Sequence, residues 1–562
     1  MSATLRERIT HGCAVLAAAG SLAVDDPAWF LVQAGRTLPA PVRTRLGTLA
    51  TRAGMSSVAA WGHLLMDQPA SARALLEDGR RGRLGDALAL HAGLAPTDSD
   101  SHATRWGWLT GDLAMVRRAA GSASARQRRR ALGDIAALEP GPRPAPRATR
   151  TWPADDGPRV LHVLTNSLPW TRSGYTMRTH DILAAQRGAG LAVSAMTRPG
   201  YPATIGRWRA GPHDRVDGVT YHRSMPLPMH PGEAERIDQW ATDLADLATR
   251  ERSTHVHSTT HYPTGLAAQA VARALDLPWV HEARGQLERT WASRRAVAGD
   301  ADPYGSDRYA LWRAREAEVA AAADHVVTLS GPMRADLIAR GVPADRITVV
   351  PNGIGEEVLE LPEDARAVRT HDGLPTDALW VGAVTSVVHY EGLSVLLDAV
   401  ALAREGGTDV RAVIVGDGLA WPDLASQVER LGLTGTVRLP GRVPRAEARR
   451  WLARLDVVAV PRQQHEVTRL VPPLKVMEAM GAARPVIVSA LPALTEIVDD
   501  GHTGLVVDPG SPEALARAVQ RLADDEGLRR SLARAGRDVA RTNTWPVLVR
   551  RYQQIYQEVS RA

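Results

Sequence analysis

From Val160 onward, short runs of β-branched and aliphatic residues alternate with helix-length stretches, and no other feature restricts the chain as much. A β-run from Val160 to Leu164 precedes a helix over about Tyr175 to Arg187, with further strands near Ala192, Val256, Pro278 and Val326. Parallel strands need crossovers long enough to hold a helix, so this alternation predicts a parallel sheet with helices on both faces. After Pro351-Asn352-Gly353 the pattern restarts, with strands over Leu379 to Gly382, Val410 to Val415, near Val437, and over Val457 to Val460, Pro485 to Ser489 and Leu505 to Val507. The expectation is α/β, two doubly wound Rossmann-like domains facing a cleft, with ligands beyond the carboxyl ends of the strands.

Residues 1–137 differ: they are rich in Ala, Leu and Arg and poor in strand-like runs, which predicts an all-α N-terminal domain. Trp61-Gly62-His63-Leu64, followed by Asp67 and Arg73, is echoed by Trp106-Gly107-Trp108-Leu109, followed by Asp112 and Arg118. Such spacing suits helical-hairpin repeats and a protein-docking platform. Residues 138–158 are dense in Pro, Gly and Arg and read as a linker. The expected domains then run over 159–355 and 356–540, with a C-terminal helix over 541–562.

The composition, 44% apolar, supports packed cores. A lone cysteine, Cys13, excludes an internal disulfide and a cysteine-rich zinc site, and its apolar neighbourhood predicts a core position. Net charge +6 and a pI near 9.8 favour anionic partners, but no aromatic-interleaved basic motif points to nucleic acid. The run Arg128-Arg129-Arg130 reads either as a contact for anionic lipid or as a solvated helix face. The apolar run Cys13 to Val24 is too short to cross a bilayer.

One lysine stands among 68 basic residues, Lys475 in Pro-Pro-Leu-Lys-Val-Met-Glu. Pro472 and Pro473 suit the first turn of a helix, where the macrodipole disfavours a cation by up to ~1 kcal/mol. A compact ammonium kept at that place suggests a bound anion, and Glu478, three residues on, shares its helix face. The bland alternative is a surface pair between the two. At the end of the first strand, Ser173 reads as a helix cap and Gly174 as a close approach for a ligand at the helix start. His257, and His281 with Glu282 and Arg284, lie at later strand ends and read either as site residues or as satisfied core groups.

Taken in order, Val457 to Pro461, Leu474 to Met480, Ala483-Arg484-Pro485-Val486, Glu496-Ile497-Val498 and Gly504 to Val507 resemble the core of the group 1, or family 4, retaining glycosyltransferases of GT-B type. Ser167-Leu168-Pro169, Ser173-Gly174-Tyr175, Arg178-Thr179, His281 to Gly285 and Val349 to Gly353 resemble a bacterial branch tied to exported polysaccharide. The resemblance spans about Arg159 to Tyr556 and leaves out the helical N-terminus. It implies that Glu478 holds the nucleotide ribose, that Lys475, Arg469 and Arg462 lie by the diphosphate with Ser173 and Gly174 opposite, and that Arg284 adds a cation. Glu466 is the nearest carboxylate to Leu470, where the family expects glutamate, and it joins His257, His281 and Glu282 as candidate acceptor or sugar contacts. Gly382-Ala383 and Glu391-Gly392 replace the family's usual cations.

The same resemblance implies metal-independent, hexosyl-type transfer from a nucleotide-diphosphate sugar to a glycan or lipid-linked acceptor, with no cofactor. It also implies a cytoplasmic location, with peripheral membrane contact open. A nucleotide-sugar epimerase on the same scaffold, or a noncatalytic sugar-nucleotide or glycan binder with a helical interaction domain, are the alternatives.

Overall fold

The computed structural model describes residues 5–561 except 53–54, 67, 79–80, 98 and 154–156, so Asp67 lies outside the described residues. The chain divides into two compact units. One holds the residues up to Val327 with Leu337–Thr348 and Gln553–Ala562; the other holds Thr328–Asp336 and Val349–Tyr552.

In the first unit, β1 (Arg159–Leu164), β2 (Ala192–Thr197), β3 (His213–Val216), β4 (Val219–Arg223), β5 (His255–Thr259), β6 (Trp279–Ala283), β7 (His325–Thr328) and β8 (Ile347–Val349) form one sheet. Its order is β3-β4-β2-β1-β5-β6-β7-β8. The pairs from β4 through β6 are parallel. The order turns at β1, which is flanked by β2 and β5, and a turn of this kind is where ligand-binding crevices open. The sequence reading missed β3 and β4, an antiparallel edge hairpin. Its turn is Asp217-Gly218, both at positive φ (48° and 80°), as a two-residue primed turn requires.

The second unit holds β9 (Leu379–Val384), β10 (Val410–Val415), β11 (Val437–Gly441), β12 (Val457–Val460), β13 (Val486–Ser489) and β14 (Leu505–Val507). Their order is β11-β10-β9-β12-β13-β14, parallel throughout, and it turns at β9. Separate apolar clusters cover the two faces, one built on Leu396, Val400 and Val519, the other on Val476, Met480 and Leu494.

Residues 10–138 are helical apart from their turns. Both Trp-Gly segments lie inside helices, Ser56–Leu65 and Ser99–Thr110, and their glycines admit a neighbour. A Cβ on Gly62 would meet Gly47 O and Ala50 Cβ at 2.7 Å, and one on Gly107 would meet Asp112 O at 2.9 Å. Asp112 caps the next helix by accepting from Met115 N at 2.7 Å. Cys13 is exposed, against the core position expected, because it falls on the outer face of Leu5–Asp25 while Ala14 and Val15 turn inward.

The described part of the Pro/Arg-rich segment after Leu138 has no helix or strand up to β1, yet it is tied to the first unit. Arg143 donates twice to Asp238, at 2.9 and 2.5 Å, Gly141 N donates to Glu318 at 2.9 Å, and buried Trp152 donates to Ser253 O at 2.9 Å. Its arginines and glycines act as anchors, a role that composition alone does not disclose.

Candidate functional site

In the second unit the loops after the neighbouring strands β9 and β12 are fastened together. Gly392 sits at φ +70°, where a Cβ would lie 1.8 Å from Pro461 O, so only glycine fits this close approach. Gln463 N donates to Tyr390 O at 2.9 Å. Arg462, buried, donates through Nη2 and Nε to the two oxygens of Glu391 at 2.5 and 3.2 Å. Its charge is therefore matched within the fold.

Beyond that clamp, three consecutive carbonyls are held by three side chains. Ser330 Oγ donates to Leu470 O at 2.8 Å, Arg462 Nη1 to Val471 O at 2.8 Å, and Asn352 Nδ2 to Pro472 O at 3.0 Å. Two helices flank this pinned strip, Glu466–Leu470 and Leu474–Gly481. The second buries Val476, Met477, Ala479 and Met480 and leaves Lys475 and Glu478 half-exposed on its other face. Lys475 Nζ lies 3.3 Å from Glu478 Oε2. No side chain caps the helix, whose N-cap is Pro473, so its first-turn N–H groups are open to an anion. Arg469 and Glu466 are exposed on the first helix, and among the described residues no carboxylate pairs with Arg469.

In the first unit the helix Gly174–Gly188 starts at the end of β1, and Ser173 Oγ caps it by accepting from Thr176 N at 3.3 Å. A cavity of about 170 Å³ opens there, lined by Ser173, Tyr175, Thr176, Thr179, Asn166 and Thr165, with Thr259, Thr260, His261 and Arg284 opposite. Hydroxyl groups dominate this lining. A larger hollow of about 600 Å³ runs along Asp307–Ala322 over alanines and lacks strand-end polar groups.

Arg284 is 2% exposed and tied on several sides. Its Nη1 donates to Thr179 Oγ1 at 2.5 Å, and its Nη2 to Glu282 Oε2 at 2.8 Å. Arg178 donates to the other oxygen of Glu282 through Nη2 at 2.8 Å and Nε at 3.1 Å. Burial alone would raise the Glu282 carboxyl, but the two arginines outweigh it and hold it well below the usual carboxylate range. Two guanidinium groups thus share one carboxylate beside the cavity.

Behind Glu282 lies His257, its Nε2 3.3 Å from Glu282 Oε2 and its Nδ1 2.6 Å from Tyr556 Oη. Tyr556 Oη also accepts from Gln186 Nε2 at 2.9 Å, and Gln186 Oε1 meets His162 Nε2 at 2.8 Å. His281 Nδ1 meets Ser258 Oγ at 2.8 Å. Burial pushes His281 down to about 3 and His257 and His162 below the usual imidazole range, so all three are neutral.

Residues 173–353 match the model of a glycosyl transferase 4-like domain, and residues 375–525 match that of the glycosyl transferases group 1. The chain belongs to the group 1 glycosyltransferases. Among curated relatives, a D-inositol 3-phosphate glycosyltransferase of Nocardioides sp. is 30% identical over 43% of this chain and 55% of its own length. This chain thus spans about half of that relative. Sucrose-phosphate synthase from Thermosynechococcus elongatus shares the fold at a TM-score of 0.58 and 19% identity, over 72% of this chain and 99% of the other. HepE from Anabaena, solved in complex with UDP, does so at 0.52 and 18%, over 72% and 100%.

The structure brings Lys475, Glu478, Arg469 and Glu466 to the strip after β12, and Ser173 and Arg284 to the cavity after β1, with Gly174 beginning the helix beside it. It buries His257, His281 and Glu282 among protein groups. Arg462 is likewise committed to Glu391 and Val471 O. The sequence reading missed Ser330 and Tyr556 as site residues; Asn352 was quoted only as part of a motif, and Glu391 only as a departure from the family's usual cations. Their partners lie 71 to 370 residues away in the chain, so no local spacing signals them. Among the described residues no cluster of three or more His, Cys, Asp or Glu is arranged to hold a metal, and no helix is long and apolar enough to cross a membrane.

Proposed function

We propose that this chain is a retaining glycosyltransferase that moves a sugar from a nucleoside-diphosphate sugar to a hydroxyl of a glycan or lipid-linked acceptor, in cytoplasmic polysaccharide or glycoconjugate synthesis. The observation that carries the reading is the pinned strip Leu470–Pro472, which fixes the helix start bearing the chain's single lysine. A diphosphate there takes Lys475 and Arg469 as counter-charges, together with the uncapped N–H groups of Leu474–Gly481. Glu478 accepts from ribose hydroxyls, and its 3.3 Å pair with Lys475 holds the ammonium ready.

As the glycosidic bond breaks, the leaving diphosphate gains negative charge, and each preorganised donor that meets it is worth ~10²–10³ in rate. The acceptor oxygen bonds to the anomeric carbon on the face the phosphate oxygen leaves, and the acceptor proton passes to that departing oxygen. Configuration is retained without a protein nucleophile. The hydroxyl-lined cavity suits an acceptor hydroxyl, with Arg284 held in its wall by Glu282 and Thr179.

Leu470 favours a second reading, a noncatalytic nucleotide-sugar binder, because its side chain offers a donor sugar no carboxylate and its carbonyl is bound to Ser330. Thermal unfolding against a panel of nucleotide sugars separates the readings, with UDP-sugars first because HepE holds UDP. A ligand at ~100 times its dissociation constant stabilises by about 2.7 kcal/mol. Stabilisation followed by release of nucleoside diphosphate and an anomerically retained product is the expected result. Stabilisation without product marks the binder, and no stabilisation by any donor sinks both.

A further inference from the structure

From Pro27 to Met66 the sequence holds no acidic residue and four arginines, Arg36, Arg43, Arg45 and Arg52. Arg36 is used internally, donating to Leu64 O and lying over the Trp29 ring. Among the described residues no carboxylate pairs with the other three. They belong to or border the helix Ala40–Thr51, which packs Gly47 and Ala50 against Ser56–Leu65 at Gly62. That small-residue face is the docked one, so the large side chains point away from it.

Val42, Leu46 and Leu49 are 42%, 37% and 63% exposed and recur at steps of four and three, which sets them in one stripe. At about 100° per residue, Arg45 and Arg52 flank the stripe on one side, whereas Arg43 falls between Ala50 and Gly47 on the docked side. Leu38 and Met55 extend the exposed apolar surface at the two ends of the helix. Aliphatic groups in water, edged by unpaired guanidinium groups and by no carboxylate, complement a surface that is apolar beneath and negative on top.

The arginine run that first suggested lipid contact has partners within the fold. Arg128 donates to Ala120 O and Gly121 O, Arg129 pairs with Glu235 at 2.5 Å, and Arg130 donates to Asp25 O at 3.3 Å.

We propose that the helix Ala40–Thr51 is a contact for an anionic lipid surface, with Val42, Leu46 and Leu49 entering the headgroup boundary and Arg45 and Arg52 meeting lipid phosphates. The contact lies outside the segments that match the glycosyltransferase models, and it stands independently of the proposed transfer reaction.

Sedimentation of the full chain with vesicles of phosphatidylcholine alone, or mixed with phosphatidylglycerol, tests it. The parent binds the mixed vesicles, less so as salt rises. Replacing Arg45 and Arg52 together by Gln lowers the partition coefficient by about tenfold or more, since each arginine near an anionic surface contributes several-fold. Val42→Ser with Leu46→Ser and Leu49→Ser lowers it similarly, and both variants melt at the parent temperature because the altered side chains face water. Equal binding to both vesicles, or variants that bind like the parent, overturns the proposal. So does a parent that elutes as a dimer while the serine variant elutes as a monomer, which assigns the stripe to a second copy of this chain.

Discussion

Tyr556 Oη lies 2.6 Å from Nδ1 of His257, which ties the C-terminal residues of the first unit to the middle of β5. The hydroxyl also accepts from Gln186 Nε2, and the Nε2 of His257 lies 3.3 Å from Glu282. Tyr556→Phe keeps the ring and strands two buried polar groups. A loss of about 1–3 kcal/mol is expected, read as a lower urea midpoint; an unchanged midpoint contradicts the network.

Glu282 carries more weight, since Arg178 and Arg284 both depend on it. Glu282→Gln leaves two buried guanidinium groups facing a neutral amide, and breaking a buried pair in this way costs about 3–5 kcal/mol. The measurement is again denaturant unfolding, and a loss below ~1 kcal/mol would count against the charge balance described for the cavity wall.

Stability should peak near pH 6.5. Burial holds His281 at about 3, His261 and His222 at about 4, and His162 and His257 below the usual range. Below ~6.5 the unfolded chain takes up these protons first, and each costs ~1.4 kcal/mol per pH unit. Three carboxyls oppose them: burial raises Asp134 and Asp243 to about 6 and Glu316 to about 8, so the folded chain keeps their protons. Their contribution is present at low pH and is lost as pH rises through those values. Burial lowers His255, His325 and His465 as well, so eight histidines outnumber the three carboxyls and stability falls on acidification below pH 6.5. Glu316 alone gives a shallower decline from there to about pH 8. Melting temperatures that hold steady or rise between pH 6 and 5 contradict this balance.

The strands were legible because parallel strands buried on both faces read as continuous apolar runs, as Val410–Val415 and Val457–Val460 do. The edge hairpin was not, since His213–Val216 is half in water and carries polar residues, although Asp217-Gly218 was there to mark its turn. Lys475 and Glu478 were legible as a pair because helical spacing alone sets them on one face. Burial of Arg462 was not, for it depends on Glu391 reaching it across a loop 71 residues earlier. The same holds for Tyr556, whose partners Gln186 and His257 lie 370 and 299 residues away.

The central claim is that one amine on a pinned helix start meets a departing diphosphate, and Lys475→Ala measures it most directly. With the donor found by thermal screening, the variant should keep the parent melting temperature within about 1 kcal/mol, because the Lys475–Glu478 pair is half-exposed. Its turnover should fall ~10²–10³-fold, and Lys475→Arg should recover only part of that, since a planar guanidinium does not replace a compact ammonium. Turnover of Lys475→Ala within a few-fold of the parent would contradict the account.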